Sequence, residues 1–372
     1  MGHAYTPGLK VTKSTIIRKE RRLPVPGTVL VKKGETVKAT QAVAKADLPG
    51  NVVPLNVAGK LGIQPHEVPE AMRVKEGEVV QKGDVVAVSK GILGLMKTSL
   101  KAPCTGTIES ISAITGQVIL REPSVPIEVK AYIDGKVVEV IEREGVVIET
   151  VASFVQGIFG IGGEVIGEIK IVVDSPDQEL APSLITPEHK GKVIVGGRFL
   201  PTESMLKARE VGAVAVVAGG TDDRNLKDFL GYDIGVAITG QEDVGLTVIL
   251  TEGFGRLRMA RKTFELLKSL EGKTASVNGA TQIRAGVIRP EIIVPAEGAA
   301  VEEERVEEGI LEIGSLVRVI REPYFGLIGE VTSLPPEPTV IETEAKVRIL
   351  ELRLEDGRTV TVPRANVELI EM

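Results

Sequence analysis

Two stretches of the chain carry the same order of apolar and polar positions. VKKGETVKATQAVAKA (Val31 to Ala46) aligns without a gap on VKEGEVVQKGDVVAVS (Val74 to Ser89), an offset of 43 residues. In each, valines at VxxGxxV spacing flank a glycine, which predicts strand, tight turn, strand. Each copy is followed by a Pro- and Gly-containing element, LPGNVVPL (Leu48 to Leu55) and APCTGTIESI (Ala102 to Ile111). Together the copies predict one pseudo-symmetric barrel. Ile127 to Thr150 then alternates around Asp134-Gly135, a dipeptide that favours a tight hairpin. The run Gly157 to Glu168 has the pattern GxxGxGG but lacks the strand-before, helix-after context of a phosphate cradle, so it reads as β-turns.

From Lys192 the period changes. Lys192 to Gly197 reads as a strand, Glu203 to Val211 as a helix, and the continuous apolar run Ala213 to Ala218 as a buried parallel strand. A helix near Asp222 to Leu230, strands Gly235 to Thr239 and Thr247 to Thr251, a helix with Leu257, Ala260, Phe264 and Leu267 on one face, and strand Thr274 to Asn278 complete an α/β domain. Gly272 is placed to end the last helix. The C-terminal 60 residues return to alternation, in Gly314 to Leu334 and Arg348 to Ile370.

The predicted fold class is therefore multidomain and β-rich. Its expected divisions are a basic N-terminal arm (1–22), a β-rich region with the internal repeat (23–178), an α/β domain (190–295), an acidic linker (296–312) and a C-terminal β-barrel (313–372). Composition agrees: 41 Gly and 21 Pro supply turns, and with aromatics at 3% and no Trp, aliphatic and β-branched residues must fill the cores. The single cysteine, Cys104, excludes an intrachain disulfide, and His3, His66 and His189 have no metal-ligand spacing. No metal is expected, and His189, in a Pro-Glu-His-Lys stretch, reads as a surface residue. With no secretory pattern and no span of about 20 apolar residues, membrane insertion is not expected and the cytoplasm is the default.

Charge is uneven. Lys10, Lys13, Arg18, Lys19, Arg21 and Arg22 face only Glu20 in the N-terminal arm, a candidate element for a nucleic acid. Glu302, Glu303, Glu304, Glu307 and Glu308 form a solvated acidic run.

Residues 20 to 122 resemble the barrel-sandwich hybrid fold of biotinyl and lipoyl carrier domains and of the N-terminal domain of the Rnf complex C subunit. The resemblance draws attention to Lys97 as an attachment point for biotin or lipoate. Met96-Lys97 stands six residues before Pro103 in the Gly-rich context GILGLMKTSL, which departs from the carrier pattern; Lys97 is taken as an ordinary solvated lysine and no cofactor is expected. GSLVRVIREPYFGLIGEVTSL, with its Pro-Tyr-Phe-Gly turn and Gly-Glu-Val, resembles the KOW motif of NusG transcription factors and some ribosomal proteins, with RILELRLEDGRTVTVPRANVELI supplying the rest of an SH3-like barrel. That resemblance implies contact with RNA, the ribosome or RNA polymerase. From Glu312 to Met372, however, 7 Arg or Lys stand against 11 Asp or Glu, whereas a phosphate-binding surface is normally basic. Local patches such as Arg318, Arg321 and Arg348 remain candidates for phosphate contact, and protein contact is the better expectation.

Ligands of α/β sheets favour the loops beyond the strands. The short stretch between Thr239 and Thr247 implies antiparallel neighbours, which sorts the polar loops into two groups. TEGFGR with NGATQIRAG would bring together Arg256, Arg258, Asn278, Thr281, Gln282 and Arg284, a set suited to an anionic ligand. GGTDDRN with TGQEDVG would bring together Thr221, Asp222, Asp223, Gln241, Glu242 and Asp243, with helix capping by Thr221 or Asp222 as the simpler role. No Ser-His-Asp set, Walker loop or CxxC is present. The expected function is a non-enzymatic adaptor or scaffold with protein partners and an anionic small-molecule site. The alternatives are an RNA- or ribosome-binding protein and a cofactor-associated subunit of a larger enzyme complex. Self-association is left open.

Overall fold

The computed structural model describes residues 9–89, 98–232, 244–281, 288–296, 311–321, 323–324, 327–340, 346–354 and 357–369. It is β-rich, with several sheets. The largest has eleven strands and crosses the boundaries expected near 22 and between 178 and 190. Its order is Phe159–Ile161, Thr247–Phe254, Ala215–Thr221, Lys192–Val195, Glu164–Ile171, Thr274–Asn278, Glu291–Pro295, Gly145–Gln156, Gly135–Ile141 and Thr36–Val37, with Val11–Arg22 also on Gly145–Gln156.

Val11–Arg22 is thus a twelve-residue strand rather than an arm, antiparallel to Gly145–Gln156 from Val11↔Val155 to Arg22↔Gly145. From Ile17 onward exposure alternates, with Arg18, Glu20 and Arg22 exposed and Ile17, Lys19 and Arg21 at least half-buried, the period of a strand with one covered face.

Glu164–Ile171, Lys192–Val195, Ala215–Thr221 and Thr247–Phe254 are mutually parallel neighbours. Their interiors, such as Val193, Ile194, Val195 and Val216, are fully buried, as parallel strands require. Helices Thr202–Val211 and Asp223–Leu230 make the crossovers and pack against each other. The strands advance in one direction, without the reversal of order that opens a ligand crevice in doubly wound sheets. The third helix is Arg261–Ser269, so Leu257 and Ala260 precede it, and Leu270 is its C-cap. Residues 235–239 lie outside the described residues.

The repeat is real and deeper than its first signal, but its copies do not join into one barrel. In the first copy Gly34 N–H donates to Val137 O and Val137 N–H to Glu35 O; in the second Gly77 donates to Ile108 O and Ile108 to Glu78 O. Ala131 donates to Gln41 O where Ala102 donates to Asp84 O. Ala39 N–H donates to Asp134 Oδ1 where Lys82 N–H donates to Thr105 Oγ1. The bridge Val29↔Ala44 recurs as Met72↔Ala87. Val11–Arg22 on Gly145–Gln156 recurs as Val52–Asn56 on Gln117–Arg121. The second copy is inserted into a hairpin of the first: Ala42–Leu48 pairs with Val125–Lys130, and the register partners Leu48 and Val125 flank the insertion. Its own core includes Val57, Val68, Val86, Ile108, Val118 and Leu120.

Asp134-Gly135 is not a hairpin turn. Its two flanking strands have different partners, and the hairpin closes at Ile141↔Gly145. Asp134 instead caps the Lys38-Ala39 turn, while Tyr132 takes φ +68°.

The C-terminal unit is a five-stranded antiparallel sheet, ordered Thr359–Pro363, Ile349–Leu354, Ile328–Ser333, Leu316–Val319, Val367–Leu369, with its own core of Val317, Val331, Leu350 and Leu352. Ile320 at its rim joins the core of the large sheet. No described helix is long and apolar enough to cross a membrane.

Candidate functional site

Because Ala215–Thr221 and Thr247–Phe254 run parallel, with Thr221↔Phe254 in register, the loops after them open at the same end. Thr274–Asn278 runs antiparallel to Glu164–Ile171, so the loop after Asn278 lies at the opposite end. This overturns the sorting expected from the sequence: Arg256 and Arg258 belong with Asp222 and Asp223, not with Asn278 and Thr281.

The shared edge is built as follows. Strand Lys192–Val195 leads through Gly196-Gly197 into Arg198, and Leu200 N–H donates to Gly220 O, which seats 197–200 beside the next strand. Gly253 and Gly255, at φ +115° and +113°, let the chain turn back on the sheet, where Gly255 N–H donates to Thr221 O. The Arg256 guanidinium lies 4.2 Å over the Phe199 ring and pairs with Glu179 at 2.8 Å. Arg198 Nε donates to Arg256 O at 3.3 Å, and Arg258 is exposed. Three arginines thus emerge from two adjacent loops, one with its guanidinium held over an aromatic ring, an arrangement suited to anions.

The other residues of these loops have structural roles. Thr221 is fully buried and its hydroxyl donates to Leu200 O at 2.5 Å. Asp222 is the N-cap of Asp223–Leu230 without a side-chain cap bond, and both aspartates are exposed. Asn278 Oδ1 accepts from Ala280 N–H, and the buried Thr281 hydroxyl closes on Gly160, accepting from its N–H at 2.8 Å and donating to its carbonyl at 3.0 Å. Gln241, Glu242, Asp243, Gln282, Arg284 and Lys97 lie outside the described residues.

Among the described residues, four of the five cations of the first strand, all but the exposed Lys13, are drawn into ion pairs. Arg18 meets Glu149 and Lys19 meets Glu291, each at 2.6 Å. Arg21 makes two bonds to Glu164, at 2.6 and 2.7 Å, and Arg22 pairs with Glu20 and with Glu144. Arg21 also lies 5.3 Å over the Tyr132 ring. An open cleft of about 400 Å³ beside Arg21 is lined by Glu20, Arg22, Glu128, Lys130 and Glu164, so its charge is balanced.

No protein-family model and no curated protein matches the chain.

Two further sequence readings change. Arg318, expected in a surface basic patch, is 2% exposed. It pairs at 2.7 Å with Glu252 of the large sheet and with Glu368 of its own unit, and Arg289 completes the seam by pairing with Glu368 at 2.7 Å. His189 is buried rather than on the surface, its Nδ1 accepting from Thr186 N–H at 3.0 Å. Sequence reasoning missed Arg198 and Glu179 as well as this seam. Arg198 was findable, since it follows a predicted strand directly. The seam was not, because its four members are spread from 252 to 368.

Proposed function

We propose that the protein is a non-enzymatic scaffold whose β-units dock protein partners and whose α/β edge holds an anionic small molecule. The observation that carries this reading is the inserted second copy. It repeats the architecture of its host, has its own core, and presents Val52, Val79, Val85 and Ile114 to solvent. A self-contained module carried on two chain connections from a hairpin is a means of holding a binding surface away from the body. The resemblance of the C-terminal unit to KOW domains supports the same reading, since those are recognition modules.

The test replaces residues 49–124 by an Asn-Gly turn, which suits the register pair Leu48↔Val125. The shortened protein is expected to fold and to lose partners that the full chain retains in cross-linking from native extract. Full retention of those partners refutes the reading. For the anion edge, inorganic phosphate and a dicarboxylate are the probes, and Arg256→Met is expected to weaken binding at least tenfold.

The nucleic-acid alternative rests on the basic strand and the KOW resemblance. The pairing of Arg18, Lys19, Arg21 and Arg22 with glutamates favours the scaffold over it, since a phosphate backbone would have to displace several carboxylates at once, whereas at the α/β edge Arg256 would give up one, Glu179.

A further inference from the structure

We infer that the C-terminal unit is a latch on the loop that presents Arg256 and Arg258. The loop runs from Phe254 to Ala260; Gly255 is held on Thr221 and Arg256 on Arg198 and Glu179, and Glu252 closes the far end, where its Oε1 accepts the N–H of Ala260, the N-cap of helix Arg261–Ser269, at 2.9 Å. The second oxygen of that carboxylate accepts from Arg318 Nη2 of the C-terminal unit at 2.7 Å. The bond that closes the loop and the bond that docks the unit therefore share one carboxylate. Moving Arg318 frees Glu252 to rotate, and rotation releases the Ala260 end of the loop.

The seam is built to separate. Arg318, Glu252 and Glu368 are each at least nine-tenths buried, yet Arg318 Nε and Arg289 Nη1 have no hydrogen-bond partner; they are two of four such buried side-chain atoms among the described residues. Hydrophobic residues of the same volume generally hold a seam at least as firmly as buried ion pairs do. Ionic groups with unmade bonds gain water when the faces part, which narrows the gap between docked and undocked states. Among the described residues, Ile320 is the buried apolar residue of the unit that enters the core of the large sheet. The mechanical coupling stands on these contacts alone. Its regulatory consequence rests on the anion reading of the edge: an anion that orders the loop and the docked unit favour each other by the same factor.

The experiment is amide hydrogen exchange on the full chain for wild type, Glu252→Gln, Arg318→Met and, as a control outside the seam, Arg353→Met. Exchange at residues 255–260 is expected to rise at least tenfold in the first two variants. Strands Ile349–Leu354 and Thr359–Pro363 should keep their protection, and the control should match wild type. Unchanged exchange at 255–260 in both seam variants overturns the latch. So does loss of protection in the C-terminal strands in step with the loop, which makes Arg318 a residue of the unit's own fold. Inorganic phosphate added to each protein separates the two readings. If phosphate leaves the wild-type loop unchanged while the seam variants still loosen it, the anion site fails and the latch stands. If phosphate protects the loop equally in wild type and Glu252→Gln, the linkage fails.

Discussion

Cys104 sits half-buried, and burial together with the neighbouring Glu122 carboxylate pushes its thiol above its ordinary value. Thiolate is the reactive form, so Cys104 is expected to react with maleimide more slowly than a free thiol at neutral pH, and faster in Glu122→Gln; equal rates in the two proteins would show that Glu122 does not act on it. His189 moves the other way. Burial first, then the Lys170 ammonium, hold its imidazole below the ordinary 6.5. The unfolded chain therefore binds a proton that the folded protein does not, so this contribution is present above 6.5 and lost as pH falls through the window beneath it. The melting temperature should drop as pH falls below 6.5, and the drop should be shallower in His189→Gln. Neither behaviour was legible in the sequence, because the charged groups responsible, Glu122 for Cys104 and Lys170 for His189, lie 18 and 19 residues away along the chain.

At the scale of elements, the duplication makes matched substitutions informative. Gly135 and Gly106 occupy equivalent positions, each facing a strand across the hairpin. A Cβ would meet Glu149 O at 2.5 Å in the first and Arg121 O at 2.3 Å in the second. Gly135→Ala and Gly106→Ala are each expected to cost about 1–3 kcal/mol by urea unfolding. An effect in only one copy would show that the backbones are not equivalent. The sequence revealed the first half of the repeat because VxxGxxV survives in both copies. The second half, AYIDGKV (Ala131 to Val137) against APCTGTI (Ala102 to Ile108), keeps mainly Ala and Gly and was legible only once the hydrogen bonds had been matched. The hairpin misplaced at Asp134-Gly135 has a related cause: the dipeptide favours a turn, but cross-strand pairing decides which strands that turn joins.

For the whole molecule, the buried seam governs how the C-terminal unit sits. Arg318→Met leaves Glu252 without its docking partner and Glu368 with only Arg289, and is expected to destabilise the docked protein by about 3–5 kcal/mol. Adding Glu252→Gln should recover part of that loss, measured as a double-mutant cycle in calorimetry; strict additivity would show that the two residues are uncoupled. RNA binding titrated across salt addresses the nucleic-acid alternative, and little or no affinity with a flat salt response is expected. A steep slope that weakens in Arg18→Gln would instead favour that alternative.

By itself, the sequence determined the β-rich character, the first half of the repeat, the helices of the α/β region and the strand alternation of the C-terminal unit. Those features follow from local periodicity and turn chemistry, which are written in consecutive residues. Tertiary structure alone decided that the second copy is inserted into the first and that the basic stretch is an ion-paired strand. It also decided that Arg256 joins Arg198 rather than Asn278, and that Arg318 is buried. Each of these depends on the direction and pairing of strands far apart in the chain, and a carboxylate such as Glu252 carries no local mark of the arginine 66 residues away that it will meet.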